Sequence, residues 1–338
     1  MKIVKMVGLG LLALVVVLVG VGMLLPRTVT LERSAVIDAP PCTVFAQLDD
    51  WRRFNAWSPW AAIDPATEYT FSDPASGVGS SMSWTSTHEK VGNGSQTVAS
   101  VEPCTFIDIK LEFEGMPQSR AWHRLERADG GTKVTWGFEG DMGAGPVGRY
   151  FGLFMGKLIG PDYEKGLASL KTIAEALPKA DFEGLSVETV QAEPVRWLAL
   201  PASSSKDTGA VGQALGGAFG KIMGTLQEAA IQPAGAPLAI YVDEGETWAI
   251  RAGLPVGPDA TLPEGAGTID TLVGGPTLVV THTGSYATLG ETIEALKAYV
   301  AARQITTEGP MIEEYVSDPE TTPEEKVQTR IHWRLAAQ

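Results

Sequence analysis

The chain has 338 residues, 44% hydrophobic and 20% charged, a globular composition that excludes wholesale disorder. Its formal net charge of −14, with no basic stripe to offset it, argues against nucleic acid as a partner. The same charge argues against broad docking on anionic lipid beyond a membrane anchor.

The first element is an apolar run, MVGLGLLALVVVLVGVGMLL, over residues 6–25, closed by Pro26 and Arg27. About 20 apolar residues at 1.5 Å each cross a ~30 Å hydrocarbon layer. A cleaved signal peptide has an apolar core of roughly 7–15 residues and small residues at its cleavage site. Leu24-Leu25-Pro26-Arg27 offers no such site, and no cysteine follows for lipoprotein processing. Residues 1–27 therefore read as an uncleaved single-pass anchor in a bacterial inner membrane. Lys2 and Lys5 precede the span and one arginine follows it. The positive-inside bias thus keeps the N-terminus cytoplasmic and places the remainder outside the cytoplasm.

Residues 28–178 read as one α+β domain. It opens with an alternating strand, TVTLERSAVIDAP, and a helical piece after Pro40-Pro41, where proline suits a first turn. Several strands follow, rich in β-branched and aromatic residues. In FIDIKLEFE, Ile107, Ile109, Leu111 and Phe113 alternate with charged residues, giving one dry and one wet face. Asp129-Gly130-Gly131 reads as a hairpin turn. Tyr163, Leu167, Leu170, Ile173 and Leu177 recur at helical spacing and predict a long closing helix.

Residues 179–188 read as a linker, and residues 189–338 as a second α+β domain that looks duplicated. One half runs strand, helix (Val211, Leu215, Phe219, Ile222 and Leu226 on one face), then two strands. The other repeats that order, with Ile293, Leu296, Tyr299 and Val300 on its helix. The echo of PLAIYVD in PMIEEYVSD supports the repeat. Two such βαββ units facing each other would leave a groove at their junction.

Chemistry is sparsely signalled. There is no GxSxG elbow and no P-loop, and GLGLLA at residues 8–13 matches a dinucleotide pattern by letters only, inside the anchor. His88, His123, His282 and His332 lack ligand spacing, so neither metal nor cofactor is expected. Cys42 and Cys104 are either a disulfide, if the domain is extracytoplasmic, or two separate thiols. Trp57 and Trp60, in FNAWSPWAAIDP, either plug the mouth of the sheet or line an apolar cavity. Trp84, Trp122 and Trp136 lie on strands and face cavity or core. In the second domain Glu313 and Tyr315, two apart on a strand, share a face, and Glu314 points away. Burial would raise the Glu313 pKa and suit it to acid–base work, whereas a solvated carboxylate would do nothing. His282 and Tyr286 are candidates for the same groove, as is Trp248, with a structural role the competing reading for His282.

Three blocks of the first domain resemble the START-like superfamily, in its polyketide cyclase/dehydrase and lipid-transport group. They are Ile37-Asp38-Ala39-Pro40 before Val44-Phe45, the stretch NAWSPWAAIDP at 55–65, and GPDYEKGLASLKTIAE from Gly160 to Glu175. The resemblance implies a helix-grip fold around an apolar cavity for lipids, hormones or polyketides, and no shared catalytic residue. HTGSY at 282–286, IEEY at 312–315 and SDP at 317–319 resemble the GyrI-like small-molecule-binding domain. That family's central glutamate maps onto Glu313. Its last strand commonly reads T-E-I where this chain has Thr329-Arg330-Ile331, so Glu313 is expected to pair with Arg330 and favour neutral or anionic ligands. Some relatives hydrolyse strained electrophiles.

The expected function is a membrane-anchored binding protein for apolar or amphiphilic small molecules with two cavities. Trp57, Trp60, Trp84 and Trp136 would wall the first. Trp248, His282, Tyr286, Glu313, Tyr315 and Arg330 would line the second. The alternatives are a hydrolase with Glu313 as acid or base, and a non-catalytic envelope scaffold. A protein partner is not specified.

Overall fold

The computed structural model describes residues 2–337. Met1 and Gln338, and the side chains of Lys2 and Lys5 on which the orientation reading rests, lie outside what is described. The chain is a mixed α+β protein of two compact units that divide between Glu183 and Gly184.

In the first unit, helix α1 (Lys2–Leu24) contains a stretch, Met6–Leu24, long and apolar enough to cross a membrane. Strand β1 (Thr28–Ile37) leads into α2 (Pro41–Leu48), whose first turn carries Pro41. The expected single helical piece is three helices. Asp50 caps α3 (Trp51–Trp57) by accepting from the Arg52 N–H at 2.9 Å. Ser58 ends α3, and Pro59 starts α4 (Pro59–Ile63) because a proline there forfeits no helical hydrogen bond. Six strands follow: β2 (Glu68–Phe71), β3 (Ser81–Thr85), β4 (Gly94–Glu102), β5 (Phe106–Phe113), β6 (Ser119–Ala128) and β7 (Gly131–Asp141). Gly130, at φ 85°, makes the β6–β7 turn where Ala128 pairs with Gly131. Two short helices unforeseen in the sequence, α5 (Pro146–Gly152) and α6 (Met155–Leu158), precede α7 (Gly160–Glu175).

The sheet order is β1-β7-β6-β5-β4-β3-β2, antiparallel throughout. Helix α7 packs on β1 and on α2–α4, burying Tyr163, Leu167 and Leu170, the stripe its spacing predicts. Ile107, Ile109 and Leu111 supply the buried face of β5. Cys42 and Cys104 form a disulfide that ties α2 to the β4–β5 turn, settling the two readings of these cysteines.

The second unit holds β8 (Glu188–Ala192), β9 (Val195–Ser205), α8 (Thr208–Glu228), β10 (Leu238–Asp243), β11 (Thr247–Pro255) and β12 (Ile269–Leu272). It continues with β13 (Gly275–Thr283), α9 (Tyr286–Ala302), β14 (Ile312–Tyr315) and β15 (Gln328–Arg334). Its sheet runs β12-β9-β11-β10-β14-β15-β13-β8. Asp207 and Ser285 cap α8 and α9 through their side chains. Helix α8 covers β9 and β11, and α9 covers β13. The central pair β10–β14 therefore lies between the two helices.

Candidate functional site

The first unit encloses a cavity of about 190 Å³ between the sheet and α7. Trp60, Trp84, Trp136, Phe138 and Phe113 are among its wall residues, with Met155 and Ile159 on the side near α6. Trp136 stacks on Tyr163 with centroids 4.0 Å apart, and Trp60 meets Trp136 edge-on at 5.7 Å. Gly166 makes the stack possible: a Cβ there would come within 2.7 Å of the Trp136 ring. The polar lining is small. Burial raises the Tyr163 phenol pKa, so it stays protonated. Gln96 and Lys90 are also in the lining, and Ser58 Oγ is buried without a hydrogen-bond partner. A larger depression of about 520 Å³ lies on the outer side, between the α3–α4 turn and Asp162, Lys165 and Ser169 of α7, with Trp57 its one aromatic lining residue.

Three of the four expected tryptophans, Trp60, Trp84 and Trp136, therefore share one cavity. Trp57 is not among its wall residues. It is 2% exposed, donates from its indole to the Gln47 carbonyl at 3.1 Å, and packs edge-on against Trp136 from behind. Ser58, Gln96, Tyr163 and the buried His123 were not anticipated as site residues. His123 shares a strand face with Ala121 and Leu125, so its pattern reads as core. Burial between Trp57 and Trp136 drops its pKa to about 3, and neither ring nitrogen has a partner.

In the second unit, Glu313 and Tyr315 share the buried face of β14. The Tyr315 hydroxyl donates to Glu313 Oε2 at 2.7 Å, which spends its only proton. Tyr241 Oη, 2.7 Å from Tyr315 Oη, must then be the donor, and the chain runs Tyr241 to Tyr315 to Glu313. Burial raises the Glu313 pKa to about 7 against the opposing pull of the Tyr315 and Tyr241 hydroxyls. Tyr286 and Phe219 meet the Tyr315 ring edge-on, and Trp248 meets Tyr241. Lys206 Nζ sits 4.6 Å above the Trp248 ring.

The expected Glu313–Arg330 pair does not form. Arg330 lies opposite Glu314 in the β14–β15 register, on the other face of the sheet, and the two approach to 3.5 Å. Glu314 also accepts from His332 at 2.9 Å, and this bond chiefly lowers its pKa. Ile331 stands opposite Glu313 instead. His282 is spent locally: Nδ1 meets Thr292 Oγ1 at 2.8 Å and Nε2 meets the Ser285 carbonyl at 3.1 Å, bracing the turn into α9. Among the described residues no group of three or more His, Cys, Asp or Glu side chains could hold a metal ion.

The first unit thus holds an aromatic cavity, and the second a buried carboxylate among tyrosines. Residues 28–175 match the family model for polyketide cyclase / dehydrase and lipid transport, and residues 208–336 match the GyrI-like small molecule binding domain; the chain joins a domain of each family. No curated protein matches it. Among solved structures, a protein from Chromobacterium violaceum is 19% identical, covering 44% of this chain and 99% of its own, with a TM-score of 0.31. A hydrolase from Listeria innocua is 12% identical, covering 45% and 92%, with a TM-score of 0.34. The EcmrR C-terminal domain is 12% identical, covering 46% and 99%, with a TM-score of 0.41.

Proposed function

We propose that the protein is a membrane-anchored carrier or sensor of small apolar or amphiphilic molecules. The observation that carries this reading is the aromatic cavity of the first unit. Its lining is mostly apolar, with Lys90 its one basic residue, and Ser58 Oγ offers an unmet hydrogen bond to a ligand hydroxyl or carbonyl. At about 190 Å³ it suits a compact ligand or part of one acyl chain, being smaller than the roughly 300–1,000 Å³ of drug-sized pockets. The sheet order with α7 laid across it supports a helix-grip fold. In the second unit, β9-α8-β10-β11 and β13-α9-β14-β15 take mirrored places in the strand order, which supports a duplicated βαββ domain. The Cys42–Cys104 disulfide supports an extracytoplasmic location, where such bonds persist. Native mass spectrometry of the full chain released from the producing membrane tests the carrier reading. A co-purifying small molecule that is lost on solvent extraction is expected; repeated apo masses would overturn it.

A second reading rests on Glu313. A buried carboxyl with a pKa of about 7, held by a two-tyrosine relay, has the protonation balance of a general acid–base catalyst at neutral pH. On this reading the second unit hydrolyses small electrophiles. Glu313→Gln separates the two: hydrolysis of an epoxide or activated-ester panel falls about 10²–10⁴-fold if Glu313 is the acid–base, whereas affinity for a neutral ligand barely changes if it is not.

A further inference from the structure

From the end of β7 into the first turn of α7 the chain runs MGAGPVGRYFGLFMGKLIGP, residues 142–161, with Arg149 and Lys157 but no acidic residue, in a protein of net charge −14. Glycines recur every fourth position at Gly148, Gly152, Gly156 and Gly160. A Cβ at Gly152 would come within 2.6 Å of Val29 Cγ2, and one at Gly160 within 2.5 Å of Arg33 Nη2. The segment thus approaches β1 closely at Gly152 and Gly160, while Gly148 packs on the Met142 backbone. Its large side chains are left outside: Val147, Phe151, Leu153, Phe154 and Leu158 are all more than half exposed, from 51% to 81%. Elsewhere in this unit beyond α1, exposed large apolar residues are scattered singly, as on any protein surface.

The same segment is fastened to α1. Arg149 Nη1 donates to the Met23 carbonyl and, at 3.1 Å, to the Leu25 carbonyl, while Tyr150 Oη donates to the Leu18 carbonyl at 2.9 Å. Gly22 provides the close approach, since a Cβ there would lie 2.5 Å from Pro146 Cβ. This fixes the depth of α5. The 19 residues of Met6–Leu24 span about 28 Å, one hydrocarbon thickness, so Leu24 lies at its edge. Leu18 is six residues further in, about 9 Å, and Tyr150 reaches it. Helix α5 therefore cannot stand clear of any bilayer that α1 crosses.

Resting on the readings of α1 as a membrane span and of the aromatic cavity as a ligand site, we propose that α5–α6 is a membrane-seated lid through which that cavity loads from the lipid leaflet. Phe151, Phe154 and their exposed neighbours enter the acyl boundary. Lys157, which is exposed, faces the anionic headgroups, while Arg149 stays with the α1 carbonyls. Met155 and Ile159, on the same short segment, form cavity wall. A ligand dissolved in the leaflet meets this segment without crossing water.

The test uses the full chain in phosphatidylethanolamine–phosphatidylglycerol vesicles. Phe151→Cys, Phe154→Cys, Leu12→Cys and Met116→Cys are each labelled with an environment-sensitive dye, the native cysteines being bonded to each other. Doxyl-labelled lipid is expected to quench labels at positions 151, 154 and 12 several-fold more than the label at 116, and aqueous iodide to do the reverse. If labels at 151 and 154 follow 116 while 12 follows the lipid, the lid proposal is overturned and the anchor stands. If 12 also ignores the lipid, the anchor reading falls and takes the proposal with it. The double variant Phe151→Asp/Phe154→Asp should slow uptake of vesicle-borne cis-parinaric acid about tenfold or more, with equilibrium binding of the dispersed probe unchanged. An unchanged uptake rate overturns loading through the lid. Failure of the parent chain to bind the probe overturns the cavity reading instead.

Discussion

Burial moves the pKa values of Glu313 and His123 in opposite directions, and the two units should answer pH oppositely. The unfolded His123 side chain takes a proton near pH 6.5, and the folded one refuses it until about 3. Stability of the first unit is thus full above pH 6.5 and falls by about 1.4 kcal/mol per unit as pH drops below it. Glu313 is protonated up to about pH 7 when folded but only to about 4.5 when unfolded. Its contribution is full below pH 4.5 and is lost as pH rises towards 7, roughly 3 kcal/mol in all. Denaturation followed by probes local to each unit should show the first weakening and the second strengthening between pH 7 and 5. His123→Phe should flatten the first response and Glu313→Gln the second. A parallel response of the two units would refute both assignments.

At the scale of elements, the Cys42–Cys104 bridge closes a loop across 62 residues. Replacing both cysteines by alanine should lower stability of the first unit by about 4 kcal/mol on loop entropy, read as a fall in denaturant midpoint. Gly166→Leu would drive a side chain into the Trp136 ring. It should cost about 1–3 kcal/mol through overpacking and abolish occupancy of the cavity, visible in native mass spectra. Several elements were readable beforehand. The stripe Tyr163, Leu167, Leu170 predicted α7, and the alternation in 106–113 predicted β5, because both bury a single continuous face. Helices α5 and α6 were not readable: glycine every fourth residue resembles a turn-rich loop, and the close approaches of Gly148 to Met142 and of Gly152 to Val29 exist only in the folded chain. The edge strands β8 and β12 are short and carry too few apolar residues to show a period. Arg330 illustrates a different limit. Parity along β14 correctly separates Glu313 from Glu314, but which residue of β15 stands opposite is fixed by pairing, and a one-residue slip changes the face. Trp57 and Trp60 could not be told apart for a related reason: two tryptophans three residues apart across a helical turn point to different surroundings, and Trp57 lines the outer depression while Trp60 walls the aromatic cavity.

For the whole molecule, one long apolar helix precedes two domains of small-molecule-binding families. The proposed orientation makes a sharp expectation. In sealed cells, a thiol-reactive mass tag should leave the oxidised protein unmodified and label two cysteines only after reduction. The same domains expressed without residues 1–27, and so kept in the cytoplasm, should accept both tags directly. Ready labelling of the native full chain would place the domains on the reducing side.

The last turn of α1 is completed by Arg149, more than a hundred residues later in the chain. A helix ends with carbonyls that need donors, and here the donor arrives only once the domain has folded. On the proposed reading of α1 as a membrane span, insertion and folding are joined into one maturation event. The first 27 residues are not an interchangeable tether: grafted onto a foreign cargo they would leave an unfinished helix end at the lipid boundary, and a domain stripped of them would bare the surface on which α5 rests.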